Sequence, residues 1–239
     1  MSDGPPSRYP SRWRPLWRLL GALVCLAVIT VTVRQCVFPD PPAKPDLHCA
    51  PGVVKRGKGA ECVGVTDGAY VFSKELREVT RKIRAENAEA EKSGDWVAVA
   101  YTEPMTRRGD WKAANDRGAD VVRQSLEGAY LAQMKFNHTG GEGRTPKIKL
   151  LLANSGQSGE QWKPMVRTLA AMADDPEERL VGVAGFGQSV KTTELAVEAL
   201  REKGVPMVGS TVAAESLSTV RPMFFRVAST TSDQAAAAA

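Results

Sequence analysis

Histidine is almost missing from this chain. His48 and His138 are the two imidazoles in 239 residues, and no H-E-x-x-H, G-x-S-x-G or phosphate-loop pattern occurs. These absences remove the familiar routes to zinc hydrolysis, serine acyl transfer and phosphate binding. Both histidines read as solvated, one in a linker and one in a turn, and the chain reads as a non-enzyme with no cofactor and no metal site. A basic stripe is missing too. The formal net charge is +5, but Arg8, Arg12, Arg14, Arg18 and Arg34 against Asp3 place +4 of it in residues 1–34, leaving 27 basic and 26 acidic groups elsewhere. A nucleic-acid domain carries its excess on the folded part, so no nucleic-acid partner is expected.

Small residues are lacking where a signal peptidase would need them. Leu19–Val33 has neither charge nor proline, and with Leu16, Trp17 and Arg18 it makes 18 residues, roughly 27 Å of helix. That length is adequate for a bilayer core of about 30 Å. Thr30-Val31-Thr32-Val33 is a poor cleavage site, and neither Cys25 nor Cys36 follows the small residues that lipidation requires. The segment is therefore read as an uncleaved single-pass anchor. The arginines before it put residues 1–15 in the cytoplasm and the rest outside. Cysteine usage beyond Cys25, which lies in the span, suits that side. Cys49 and Cys62 flank a Gly- and Lys-rich loop with little apolar content, which a disulfide would stabilise by about 3 kcal/mol. Zinc, the rival, wants four ligands, and only His48 adds to the two.

The expected organisation is a cytoplasmic tail over residues 1–15, a transmembrane anchor over 16–34, a juxtamembrane linker with the cysteine loop over 35–73, a charged helix over 74–94, and an α/β domain over 95–239. In the charged helix Leu76, Val79 and Ile83 form a narrow stripe, which suits a helix lying on the domain surface. From residue 95 short apolar runs (WVAVAY, KIKLLLA, LVGVA, then Val205–Val208 and Phe224–Val227) alternate with helical segments over 118–136, 161–173 and 189–203. Runs without polar alternation, separated by crossover-length helices, indicate a doubly wound parallel sheet buried on both faces. In the helix over 118–136 the buried face is read as Gly118, Val122, Ser125, Ala129, Ala132 and Phe136, with small residues, Gly128 among them, allowing close approach to the sheet.

Ligands of such sheets bind beyond the carboxyl ends of the strands. Three loops qualify: TEPMTRRGDW with Thr106 and Trp111, GFGQSVKT with Gln188 and Ser189, and GSTVA with Ser210 and Thr211. Hydroxyls beside a helix start suit an anionic group such as a carboxylate, with Ser189 as the N-cap. The glycines of Gly182–Gly187 do not follow the dinucleotide order and are discounted as a nucleotide signal.

The stretches RGADVVRQSLEGAYLA, KIKLLLANSG, LVGVAGFGQSVKTTELAVEALREKGVPMVGST and FFRVASTTSDQAAAAA resemble the type I periplasmic binding proteins of the branched-chain amino acid (Leu/Ile/Val) kind. CVGVTDGAYVF looks like the N-terminal extension of some actinobacterial members. The resemblance covers roughly residues 95–239. It implies a membrane-anchored, extracytoplasmic component that binds an amino acid or similar small polar solute for an ABC-type transporter, with the carboxylate held near Gln188–Ser189 and Ser210–Thr211. The loop GFGQS is only partly hydroxylic, so the implied ligand need not be branched-chain. The family crosses to a second lobe just after the sequence matching FFRVAST, and the alanine run here reads as that lobe's first helix. The chain is thus expected to be truncated after its first lobe and to bind amino acids no tighter than about millimolar. The alternative is a membrane-tethered sensor or interaction domain of the same fold without transport duty, which the non-lipid anchor and the charged helix favour.

Overall fold

The computed structural model describes residues 47–106, 117–139, 146–157, 159–217 and 223–239, together with Leu20 and Leu23. Residues from Leu47 onward form one unit, separate from the unit over residues 1–46. The predicted tail and anchor, residues 1–34, therefore lie outside the described residues apart from those two leucines. Among the described residues no helix is long and apolar enough to cross a membrane.

Among the described residues, a mixed sheet of eight strands organises this unit. Strands β1 (His48–Ala50), β2 (Val53–Arg56) and β3 (Glu61–Thr66) form an antiparallel ribbon. Helix α1 (Arg77–Lys92) follows, entered through a short turn at Lys74–Leu76. Then come β4 (Trp96–Glu103), α2 (Arg117–Thr139), β5 (Lys147–Asn154), α3 (Trp162–Asp174), β6 (Leu180–Gly185), α4 (Lys191–Glu202), β7 (Met207–Gly209), β8 (Phe224–Arg226) and α5 (Thr231–Ala238). The strand order is β1-β2-β3-β5-β4-β6-β7-β8. From β5 to β8 all pairings are parallel. Counted from β4, those five strands run 2-1-3-4-5, a doubly wound order.

The predicted α/β domain is thus present, and it is larger than expected. Residues 35–73 were expected to be a linker, yet residues 48–66 are strands, and β3 pairs antiparallel with β5. Val53 and Val63 are wholly buried and Val65 nearly so, and a disulfide joins Cys49 of β1 to Cys62 of β3. Two valine-bearing runs around K-R-G-K-G-A are a hairpin signal that the polar composition hid. The charged helix is also part of the domain. Beyond Leu76, Val79 and Ile83 it buries Thr80, Glu86, Asn87 and Ala90.

Successive residues of β5 show why the strands lack polar alternation. Leu151 and Ala153 face α3 and α4, packing with Met165, Leu169, Val197 and Leu200. Leu150 and Leu152 face α1 and α2, packing with Ile83, Tyr101 and Leu126. Each fully buried leucine contributes about 1.5–3 kcal/mol. In α2 the expected face is met in part, with Val122 and Ala129 packing against the core. Leu126 and Gln133 are buried, while Gly118, Ala132 and Phe136 are exposed, and a Cβ on Gly128 would meet nothing within 4 Å.

The burial of Gln133 has a polar cause at the outer edge of β5. There β3 reaches only Leu152–Asn154. Beyond it, side chains take the place of a strand. Asn87 accepts from the Leu150 N–H (2.7 Å) and donates to the Leu150 carbonyl (2.8 Å). Asn137 does the same at Ile148 (2.7 and 3.1 Å), and Gln133 donates to both Asn87 (2.7 Å) and the Ile148 carbonyl (3.0 Å). A buried face carrying glutamine and asparagine escapes an apolar-periodicity reading. His138, predicted to lie in a turn, is in the last turn of α2, 3.1 Å from Glu86. At the far side of the sheet Val208, Phe225 and Val227 remain exposed, with Val208 and Phe225 register partners.

Candidate functional site

Strands β4 and β6 are neighbours, but the chain leaves β4 for a helix on one face of the sheet and β6 for a helix on the other. Loops diverging in this way open a crevice at the switch point. It has a volume of about 520 Å³, within the range of small-molecule sites.

The loop after β6 shapes one wall. Gly185, Phe186 and Gly187 are consecutive residues in the left-handed region, with φ of 100°, 71° and 56°. The Phe186 N–H donates to the Thr102 carbonyl (2.8 Å), and the Phe186 ring packs edge-on against Phe224. A Cβ on Gly185 would come 2.6 Å from the Thr102 oxygen, and one on Gly187 would come 2.9 Å from Glu103 Oε2. Gly185 and Gly187 therefore serve close approach to β4, and Gly182 close approach to Pro206. Thr193 of α4 fixes the loop by donating to the carbonyls of Phe186 (3.3 Å) and Gln188 (2.8 Å).

The opposite wall hangs on Asn154, wholly buried at the end of β5. Its Oδ1 accepts from the N–H groups of Met105 (2.8 Å) and Gly156 (3.0 Å). Its Nδ2 donates to the Cys62 carbonyl (2.9 Å) and to the Thr106 hydroxyl (2.6 Å). One side chain thus joins the loop after β4, the turn after β5 and the disulfide-linked ribbon.

Of the six sequence-predicted ligand residues, Thr106, Gln188 and Thr211 line the crevice together. Thr106 and Thr211 are already engaged, since the Thr211 hydroxyl donates to the Gly187 carbonyl (2.5 Å). Ser189 does not cap α4. The N-cap is Val190, and the Ser189 hydroxyl accepts from the N–H groups of Ala213 (2.9 Å) and Ala214 (3.1 Å), tying the two loops together. Ser210 donates to the Gly185 carbonyl (3.2 Å), and neither serine lines the crevice. Trp111 lies outside the described residues.

Sequence reasoning missed Glu103. It is 6% exposed, at the carboxyl end of β4, and it lines the crevice with Ser125 and Ser155. Burial pushes its carboxyl up to about 7, against a smaller opposing effect from the hydrogen bond with the Tyr101 hydroxyl. Burial likewise raises Tyr101. Among the described residues lining the crevice there is no lysine, arginine, histidine or aspartate. Among the described residues, Thr106, Gln188 and Thr211 bring only neutral groups to the expected carboxylate receptor, and the ionisable group beside them is an acid. The signal was legible as an acidic residue closing the apolar run WVAVAYTE, but ending the strand at Tyr101 assigned Glu103 to the loop. No group of three or more metal-ligating side chains occurs among the described residues.

No protein-family model and no curated protein matches the chain. Among solved structures it is similar to a leucine-binding protein of Thermotoga maritima, with 22% identity and a TM-score of 0.42, over 59% of this chain and 35% of that one. It is also similar to an ABC transporter substrate-binding protein of Desulfitobacterium hafniense in complex with Leu, with 18% identity and a TM-score of 0.40, over 57% of this chain and 34% of that one. The chain spans about a third of the length of each of these proteins.

Proposed function

We propose that this chain is an extracytoplasmic solute-binding component, tethered by residues 16–34 with its N-terminus in the cytoplasm. Its crevice takes an amino acid or similar small polar solute for an ABC-type transporter. The observation that carries the reading is the crevice at the β4–β6 switch point, of small-molecule size and lined by a buried carboxyl and several hydroxyls. A sensor without transport duty drew part of its support from the long charged helix. That helix is packed into the domain through Val79 and Ile83 and also buries Glu86 and Asn87, which gives it a structural role there.

Two measurements test the proposal. Norvaline added to the isotope-labelled full chain is expected to shift the amide resonances of Glu103, Thr106, Gln188 and Thr211, with a Kd of about millimolar. If no shift appears at these positions up to about fifty times that concentration, the solute-binding reading fails. For location, protease added to intact cells is expected to digest residues 47–239, a position that the Cys49–Cys62 disulfide supports. Full protection of the domain would place it on the other side of the membrane.

A further inference from the structure

We propose that Glu103 is the receptor for a cationic head group, so that the crevice selects a primary ammonium over a carboxylate. The inference rests on the solute-binding reading and deepens it. Three observations lead to it.

Glu103 is almost fully buried yet lines an open crevice. A carboxylate removed from water is costly unless a cation or several donors meet it. Here the Tyr101 hydroxyl supplies a hydrogen bond. Tyr101 also bonds Ser125 of α2 and Ser210 of the loop after β7, so the groups around it are neutral.

The second observation is the backbone beside the carboxyl. Gly187 leaves the space next to Oε2 that a Cβ would enter at 2.9 Å. The loop that might have screened the carboxyl from the crevice instead approaches it with no side chain. The third is the lining itself, which offers hydroxyls for a polar ligand but, among the described residues, no cation to hold an anion. An ammonium ion entering the crevice supplies the missing charge, and three N–H donors are enough to reach Glu103 and neighbouring hydroxyls at once.

Protonation provides an internal control. Among the described residues, Tyr101 is the other titratable group facing Glu103; α2 brings Ser125, the loop after β6 brings Gly187, and the loop after β7 brings Thr211. Burial holds the empty-site carboxyl near 7, so a ligand that needs the anion must bind more weakly as the solution is acidified.

Norvaline, pentylamine and pentanoate share a five-carbon frame and differ in their charged ends. Titrated into the full chain at about pH 8, the two amines are expected to bind roughly tenfold to a hundredfold more tightly than pentanoate, the span of one charge-assisted hydrogen bond. At about pH 5.5 the amines should lose roughly tenfold or more while pentanoate does not. Glu103→Gln should abolish the preference, and Glu103→Asp should retain part of it, with unchanged amide spectra away from the crevice showing that both variants fold. Equal affinity for pentylamine and pentanoate, or an amine affinity unaffected by Glu103→Gln, would overturn the proposal while leaving solute binding intact. Binding of pentylamine without norvaline would retain it and reject the amino-acid reading.

Discussion

Glu103→Gln is expected to stabilise the protein at about pH 8 and to leave its stability unchanged near pH 4.5. Burial raises the folded-state pKa of this carboxyl from 4.5 to about 7. Between those values the native state binds more protons than the unfolded chain, so stability is fully present below about 4.5. It falls as the pH rises and levels off above about 7. A shift of this size corresponds to up to about 3 kcal/mol. Glutamine has the same shape and stays neutral, so the variant escapes the loss. The exposed carboxylates whose partners hold them low, such as Glu78 beside Lys82, contribute equally to both proteins and cancel in the comparison. Urea denaturation at several pH values checks this, with parallel stability curves for the two proteins over pH 5–8 as the outcome that would refute the protonation argument.

Replacing Asn154 by alanine is expected to lower stability by about 3 kcal/mol. The side chain is wholly buried and makes four hydrogen bonds, two of them accepted from backbone N–H groups. Truncation leaves the buried Met105 N–H and the Cys62 carbonyl without this partner. The loop carrying Thr106 should also loosen, so norvaline affinity should fall along with the unfolding free energy. A loss below about 1 kcal/mol in denaturant titration, with unchanged affinity, would mean that other contacts hold this wall.

The parallel layer was legible because each of its strands is buried on two faces. The run Lys147–Ala153 has no polar alternation to confuse it, and the observed strand extends it by one residue. The ribbon over residues 48–66 was illegible for the opposite reason. Its stability comes from a cross-link and from pairing with a strand that follows about a hundred residues later, and neither leaves an apolar run in the sequence. At the site, Thr106, Gln188 and Thr211 from the three hydroxyl-bearing loops after strand ends line one crevice. Loop sequence alone could not say which hydroxyls face inward, and Ser189 and Ser210 are spent holding one loop to another. Glu103 went unseen because strand length, set at this end by its pairing with Asn154 of β5, decides whether it belongs to a wall or to solvent.

The asparagine side chains along the edge of β5 have a consequence for how this sheet opens to solvent. The Ile148 and Leu150 amides are held by α2 and α1, whereas those further along β5 lie beside β3. A fluctuation that lifts the helices away exposes the first two amides to deuterium while the strand ladder stays closed. One edge of one strand therefore carries two independent clocks. The first follows the docking of the helical layer, and the second follows the disulfide-linked ribbon.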